Sequence, residues 1–199
     1  MRPIMGVILA GGYSSRMGKD KAQLSMCGTA ELSRAAELLK PYCRQVLVSV
    51  RPDQIGDPLY RGYQLLIDPP GLAGPIAGIA AAFDHDPTTA WLAMAVDMPY
   101  VEQAELEELL ENRRPDRAAC CFYNPSLDGP EPLLSLFEPE FRPRLDRFVS
   151  DGRRSLYRLL KDAPIGLITP RRESALFSIN TPEEYQNAQE AVCDDSYST

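Results

Sequence analysis

The stretch Gly6–Lys21, GVILAGGYSSRMGKDK, constrains this chain more than any other. Val7-Ile8-Leu9 is a short apolar run of the kind that forms a buried strand, and Gly11-Gly12 ends it with no side chain in the way. Backbone N–H groups freed at such a turn can approach an oxyanion closely. Arg16, Lys19 and Lys21 follow within a few residues, a density of cations that suits a polyphosphate better than a lone carboxylate. Two familiar phosphate loops are excluded. A Walker A loop needs Gly five positions before its Gly-Lys and Ser or Thr after it, but Gly18-Lys19 has Tyr13 upstream and Asp20 downstream. A dinucleotide fingerprint needs glycines at i, i+2 and i+5, and neither Gly11 nor Gly12 starts that series. Taken alone, the glycines also fit an ordinary tight turn.

At 199 residues the chain suits one domain, or one domain with an appended lobe, and can bury a substantial core. Its 44% hydrophobic content separates it from disordered chains. A formal net charge of −7 argues against general binding to nucleic acid or an anionic membrane, so phosphate must be bound by a focused cationic site. The five cysteines, Cys27, Cys43, Cys120, Cys121 and Cys193, are odd in number and lack a C-x-x-C pair. They read as free thiols in a reducing compartment, which predicts a cytoplasmic protein. No signal-peptide pattern and no apolar run near the ~18 residues of a membrane span is present.

After the glycine loop, Thr29–Tyr42 reads as a helix with Leu32, Ala35, Ala36, Leu38 and Leu39 on one face, and Gln45–Val50 as a buried strand. Strand, loop, helix and strand make a βαβ unit, hence a parallel sheet with helices on its faces. Gln64–Ile67 is a third strand ending at Asp68, and a helix opens at Gly74-Pro75, where proline suits the first position. Its small residues, among them Ala77 and Gly78, serve either close packing or approach of a ligand to its N-terminus. His85 reads as a solvated helix end. Trp91–Val96 is the most apolar strand and runs into Asp97-Met98-Pro99. In a parallel sheet the C-terminal strand ends line the ligand crevice, so Gly11-Gly12, Asp68 and Asp97 come to one edge. Asp97 is there either a helix N-cap or a ligand for Mg²⁺, which favours one or two carboxylates with waters and substrate phosphates.

The remainder is less regular. Glu102–Glu111 is an acidic helix, Arg117–Tyr123 a strand, and Gly129–Phe137 a turn plus a strand. Phe141–Val149 and Arg153–Lys161 read as helices, the second with Arg153 and Arg154 at its N-terminus. The helix dipole disfavours cations there unless an anion joins them, although a solvated pair is the plainer reading. Ile165–Thr169 is the last strand, and Asn180-Thr181-Pro182 opens a terminal helix capped by Asn180 or Thr181, with a frayed tail from Cys193.

Leu9-Ala-Gly-Gly-Tyr-Ser-Ser-Arg-Met-Gly-Lys-Asp-Lys21 resembles the signature loop of nucleotidyltransferases with a glycosyltransferase-A-like fold, and most closely that of the molybdenum cofactor guanylyltransferases. Gly74-Pro-Ile-Ala-Gly78, Asp97-Met-Pro99, Glu131-Pro-Leu133, Gly152-Arg-Arg-Ser155 and Asn180-Thr-Pro182 follow in family order, so the resemblance spans about Gly6–Tyr185. Gly-Gly in the loop together with Gly-Pro-x-Ala-Gly favours guanylyl transfer, since related cytidylyltransferases usually carry Ala-Ala-Gly. The resemblance implies an α/β fold with a mostly parallel, Rossmann-like three-layer sheet of the nucleotide-diphospho-sugar transferase type. It implies one nucleotidyltransferase domain over 1–199, with a nucleotide-binding half to about 115, an acceptor-binding half over about 116–193 and a frayed tail at 194–199. The implied reaction moves GMP from Mg·GTP to the terminal phosphate of molybdopterin cofactor and releases pyrophosphate. Carried over by motif, Leu9, Ala10 and Gly11 meet the nucleotide, and Gly12 and Arg16 the phosphates. Lys21 meets the triphosphate, Asp68 the guanosine part, and Asp97 both nucleotide and Mg²⁺; Arg16, Lys21 and Asp97 form the catalytic set. Arg153, Arg154 and Asn180 are the acceptor-side candidates, and cofactor-handling proteins or molybdoenzymes the further partners. Two other readings stay open: a cytidylyltransferase or related transferase acting on another phosphate-bearing acceptor, and a non-catalytic nucleotide-binding accessory protein.

Overall fold

The computed structural model describes residues 2–12, 24–26 and 29–195, with the side chains of 193–195 excepted. Arg16, Lys19, Lys21 and Cys27 lie outside the described residues. The strands are β1 (Ile4–Leu9), β2 (Ser25–Met26), β3 (Thr29–Ala30), β4 (Val46–Val50), β5 (Leu65–Ile67), β6 (Ala90–Ala95), β7 (Ala119–Asn124), β8 (Gly129–Phe137) and β9 (Ile165–Ile168). The helices are α1 (Glu31–Leu39), α2 (Pro75–His85), α3 (Gln103–Glu111), α4 (Arg142–Ser150), α5 (Leu156–Lys161) and α6 (Pro182–Asp195).

Seven strands form one sheet in the order β5-β4-β1-β6-β8-β7-β9. All neighbours are parallel except β8, which runs antiparallel to both β6 and β7. The mostly parallel sheet is thus as expected, with one reversed strand that extends it from the first half of the chain into the second. All six residues of β6 are buried, because a central parallel strand is covered on both faces. The chain leaves β1 through α1 toward one side of the sheet and leaves β5 through α2 toward the other. Right-handed crossovers therefore place α1 and α2 on opposite faces. Trp91, Phe83, Phe122, Phe137 and Phe141 are the bulkiest fully buried side chains, and the Phe137 and Phe141 rings lie 4.8 Å apart.

Several boundaries differ from the expectation. The first helix begins at Glu31 because Thr29–Ala30 pairs antiparallel with Ser25–Met26. The fifth begins at Leu156 because the Ser155 hydroxyl accepts from the Arg158 N–H, leaving Arg153 and Arg154 in the preceding loop after the left-handed Gly152. Gly129–Phe137 is one strand throughout despite Pro130 and Pro132. The terminal helix opens as expected: the Thr181 hydroxyl accepts from the Glu184 N–H, while the Glu184 carboxylate accepts from the amides of Asn180 and Thr181. This helix runs to Asp195, into the segment expected to fray. It packs on the β2–β3 hairpin through Leu24, Met26, Ile179 and Ala188, a small cluster separate from the main core.

Candidate active site

The parallel strands β1, β4, β5 and β6 end on one edge of the sheet, delivering Gly11-Gly12, Arg51, Asp68 and Asp97 there. Because β8 is antiparallel, its start rather than its end reaches the same edge. Met94 pairs with Leu134, so Glu131–Leu133 extend past β6 toward Asp97. A cavity opens at this edge, lined among others by Leu9, Ala10, Gly12, Ser49, Asp97 and Asn180. Leu9–Gly12 and Asp97, separated by most of the first half of the chain, therefore share one cavity.

One wall of the cavity is backbone. Gly11 and Gly12 present their main chain, and the polar groups behind them are buried: Ser49 is 2% exposed and Asp68 4%. Ser49 Oγ donates to Asp68 Oδ1 at 2.6 Å. Burial pushes the Asp68 carboxyl above its usual range, while the Ser49 hydrogen bond and the Arg51 charge oppose that rise. A Cβ at Gly11 would lie 2.6 Å from Asp68 Oδ2, and one at Gly78 would lie 2.5 Å from Leu9 Cδ2 and 2.6 Å from Ser49 Oγ. Both glycines are thus demanded by close approach, the first of a loop to a buried carboxylate and the second of α2 to β1 and β4. At the mouth of α2, Gly74 takes a φ of +72°, which lets Pro75 occupy the first helical position.

The other wall is made of side chains. Asp97 is 7% exposed, and its backbone C=O accepts from the Ile179 N–H at 2.9 Å, which ties the segment before α6 to it. Glu131, 2% exposed, accepts from Asn124 Nδ2 at 2.6 Å and from the Leu133 N–H at 2.7 Å. Burial is the main cause that pushes the Glu131 carboxyl up, and the nearby charge of Asp97 adds to it. The loop beyond Asp97 is held by Arg34, whose guanidinium donates to Met98 O at 2.7 Å and Val101 O at 2.8 Å. Arg34 is held in turn by the fully buried Glu31 at 2.9 Å.

Among the described residues no three His, Cys, Asp or Glu side chains gather to hold a metal. The donor set that is present, the Asp97 carboxylate with the Asn180 side chain in the same cavity, consists of hard oxygens too few for an all-protein cage. It fits a Mg²⁺ that keeps waters and takes substrate phosphates as its remaining ligands.

The sequence-predicted residues divide between this cavity and other places. Leu9, Ala10, Gly11, Gly12, Asp97 and Asn180 line it, and Asp68 sits behind Gly11. Arg153 and Arg154 line neither this cavity nor its neighbour. Arg153 bonds Asp162 at 2.7 Å with its guanidinium 4.0 Å over the Phe148 ring, and Arg154 donates to the carbonyls of Val149 and Arg153. Residue-type reasoning assigned no role to Ser49, Arg34, Asn124 or Glu131. The available signal was a polar residue inside an apolar strand, Ser49 in QVLVSV, and a charge between two strand prolines, Glu131.

Residues 6–165 match the model of the MobA-like NTP transferase domain. The chain belongs to that family. It is 34% identical over 184 residues to the molybdenum cofactor biosynthesis bifunctional protein of Synechocystis, covering 92% of this chain and 53% of that one. The chain therefore spans about half the length of that relative. It is 27% identical over 194 residues to the molybdenum cofactor guanylyltransferase of Shewanella sediminis, covering 95% and 97% of the two chains. The structure of molybdopterin-guanine dinucleotide biosynthesis protein A from Archaeoglobus fulgidus matches with a TM-score of 0.80 at 25% identity, covering 96% and 99%. The fold is that of the glycosyltransferase-A-like nucleotidyltransferases, and this member of the MobA-like family is a nucleotidyltransferase enzyme.

Proposed function

We propose that this protein transfers GMP from GTP to the terminal phosphate of molybdopterin cofactor. A phosphate oxygen of the acceptor attacks the α-phosphorus of GTP, the bond from that phosphorus to the β-phosphate oxygen breaks, and pyrophosphate leaves. The observation that carries the reading is the cavity with a glycine backbone wall on one side and Asp97 on the other. The name of the Shewanella relative, a molybdenum cofactor guanylyltransferase, supports it from outside the chain, and the Synechocystis relative is named for biosynthesis of the same cofactor.

Two anions must meet in such a reaction, so catalysis is mainly charge neutralisation and in-line positioning. Gly11 and Gly12 let the donor phosphates approach main-chain N–H groups, and Arg16 and Lys21, from the loop outside the described residues, supply positive charge. Asp97, with Asn180 beside it, would hold Mg²⁺. When bound, that ion neutralises charge developing on the phosphoryl oxygens. Asp68 orients the guanosine side through Ser49 and Gly11.

The acceptor takes the adjoining cavity of about 650 Å³, which shares Leu133 and Asn180 with the first. Tyr157 and Phe177 offer aromatic surface there and Glu131, Glu173 and Ser174 offer acceptors, while among the described residues no Lys or Arg lines it. Such a lining suits a donor-rich planar heterocycle such as a pterin, with its phosphate turned toward Asp97. The division into a nucleotide half, about 1–115, and an acceptor half, about 116–193, belongs to this reading. Delivery of the product to cofactor-handling proteins or molybdoenzymes belongs to it too. Cys43, Cys120 and Cys121 are free thiols, which suits the proposed cytoplasmic setting. Among the described residues no helix is long and apolar enough to cross a membrane.

Pyrophosphate release measured with each of the four nucleoside triphosphates, with and without molybdopterin, tests donor, acceptor and turnover together. Release with GTP only when molybdopterin is present is the expected result. Preference for CTP would reassign the donor, and no release under any combination would remove the transferase reading.

A further inference from the structure

We propose that Arg51 is a positioning residue for the donor nucleotide, setting the backbone of Gly11 and Gly12 without touching the nucleotide itself. Its Nη1 donates to Gly11 O at 2.9 Å and to Gly12 O at 3.1 Å. The other side of the guanidinium is braced by Asp53, with Nε to Oδ1 at 3.0 Å and Nη2 to Oδ2 at 3.1 Å. Its backbone N–H donates to Gln54 Oε1 at 2.8 Å, and Gln54 in turn donates to Tyr60. Arg51 is therefore fixed at main chain and side chain, directly after the fully buried Val50.

The peptide group explains why this matters. In a planar trans peptide the C=O and N–H point in opposite directions, so holding Gly11 O toward Arg51 turns the Gly12 N–H the other way. Gly11 and Gly12 form a wall of the cavity, and glycine pairs carry little intrinsic preference for one peptide orientation. A flipped peptide would present a carbonyl oxygen, which repels a polyphosphate, where an N–H should attract it. Arg51 removes that alternative by satisfying both carbonyls from behind. Its own charge is largely spent on Asp53, whose carboxyl is held below its usual range chiefly by the Arg51 hydrogen bond. The effect is thus one of geometry more than of added charge. Only a planar guanidinium can hold two carbonyls and a carboxylate together, and a lysine ammonium cannot.

The kinetic part of the test rests on the guanylyl-transfer reading, and the binding part rests only on GTP being the donor. Arg51→Ala, Arg51→Lys and Asp53→Asn are compared with wild type by calorimetric titration with GTP, by KM for GTP and for molybdopterin, and by melting temperature. Arg51→Ala is expected to bind GTP about ten- to a hundredfold more weakly, the loss of one or two charge-assisted hydrogen bonds. Its KM for GTP should rise in parallel while its KM for molybdopterin stays within about twofold. Added guanidinium should restore part of that affinity and leave wild type unchanged, Arg51→Lys should recover little, and Asp53→Asn should lose about threefold. GTP affinity of Arg51→Ala within about twofold of wild type would overturn the proposal, as would full recovery in Arg51→Lys, which would make charge the cause. Should Arg51→Ala fail to fold, Arg51→Lys and Asp53→Asn carry the same decision. Wild type that binds GTP but forms no dinucleotide would sink the guanylyl-transfer reading while the titrations still judge Arg51. Wild type that binds no GTP would sink both.

Discussion

The two walls of the cavity are built in opposite ways. On the glycine wall, backbone faces the cavity and side chains hold it from behind: Arg51 on the carbonyls and Asp68 under Gly11. On the Asp97 wall, a side chain faces the cavity and backbone holds its segment, the Ile179 N–H on the Asp97 carbonyl, while Glu131 faces the adjoining cavity and is held by the Leu133 N–H. A wall of backbone is set by which residues leave room for it, and a wall of carboxylates by which donors reach them. Substitutions on the first should therefore act through sterics and orientation, and on the second through charge and metal.

The largest effect expected on the second wall is from Asp97→Ala, which should lower kcat by about 10²–10³ with little change in melting temperature. Steady-state kinetics at saturating GTP checks it, and near-normal turnover would remove Asp97 from the chemistry. Arg34→Ala should be the most damaging change to stability, about 3 kcal/mol by urea unfolding, because it strands the fully buried Glu31 carboxylate. A raised Mg²⁺ requirement in that variant would sharpen the contrast, since the loop beyond Asp97 hangs from this arginine through the Met98 and Val101 carbonyls.

Behind the glycine wall, where α2 meets β1 and β4, Gly78→Ala should cost about 1–3 kcal/mol by overpacking against Leu9 and Ser49. A second substitution, Ser49→Ala, should recover part of that loss, and a simple sum of the two effects would argue against the contact. The smallest effect is a slope. Burial raises the Glu131 pKa above its ordinary 4.5, so the folded protein holds that proton longer than the unfolded chain. Its contribution to stability is complete below pH 4.5 and is lost as pH rises through the raised value. Wild-type stability relative to Glu131→Gln, which stays neutral at every pH, should accordingly be highest in acid and fall as pH rises through the raised value, and a pH series of denaturation midpoints measures it.

The contrast between the walls also explains what could be read in advance. The glycine wall is local: apolar run, two glycines and a carboxylate after each of two strands are contiguous patterns, so the ends of β1, β5 and β6 and the gathering of Gly11, Asp68 and Asp97 were legible. The second wall depends on pairings across long separations. Nothing local in Gly129–Phe137 marks β8 as reversed, yet that reversal brings Glu131 beside Asn124 and toward Asp97. Arg153 and Arg154 show the converse case. Two cations before a helical run left an anion site and a solvated pair both open, and the Ser155 cap sets them in a loop where Asp162, the Phe148 ring and main-chain carbonyls engage them.

The hydrogen bond from the Ile179 N–H to the Asp97 carbonyl has a consequence for the order in which a growing chain acquires its parts. Residue 179 emerges from the ribosome about 80 residues after Asp97, a delay of about 4–16 s at ordinary elongation rates. The glycine wall, complete once Asp68 has been made, meets no such delay on its own account. During synthesis the residues that meet at Gly11 and Asp68 are therefore present well before the N–H that fastens the Asp97 carbonyl.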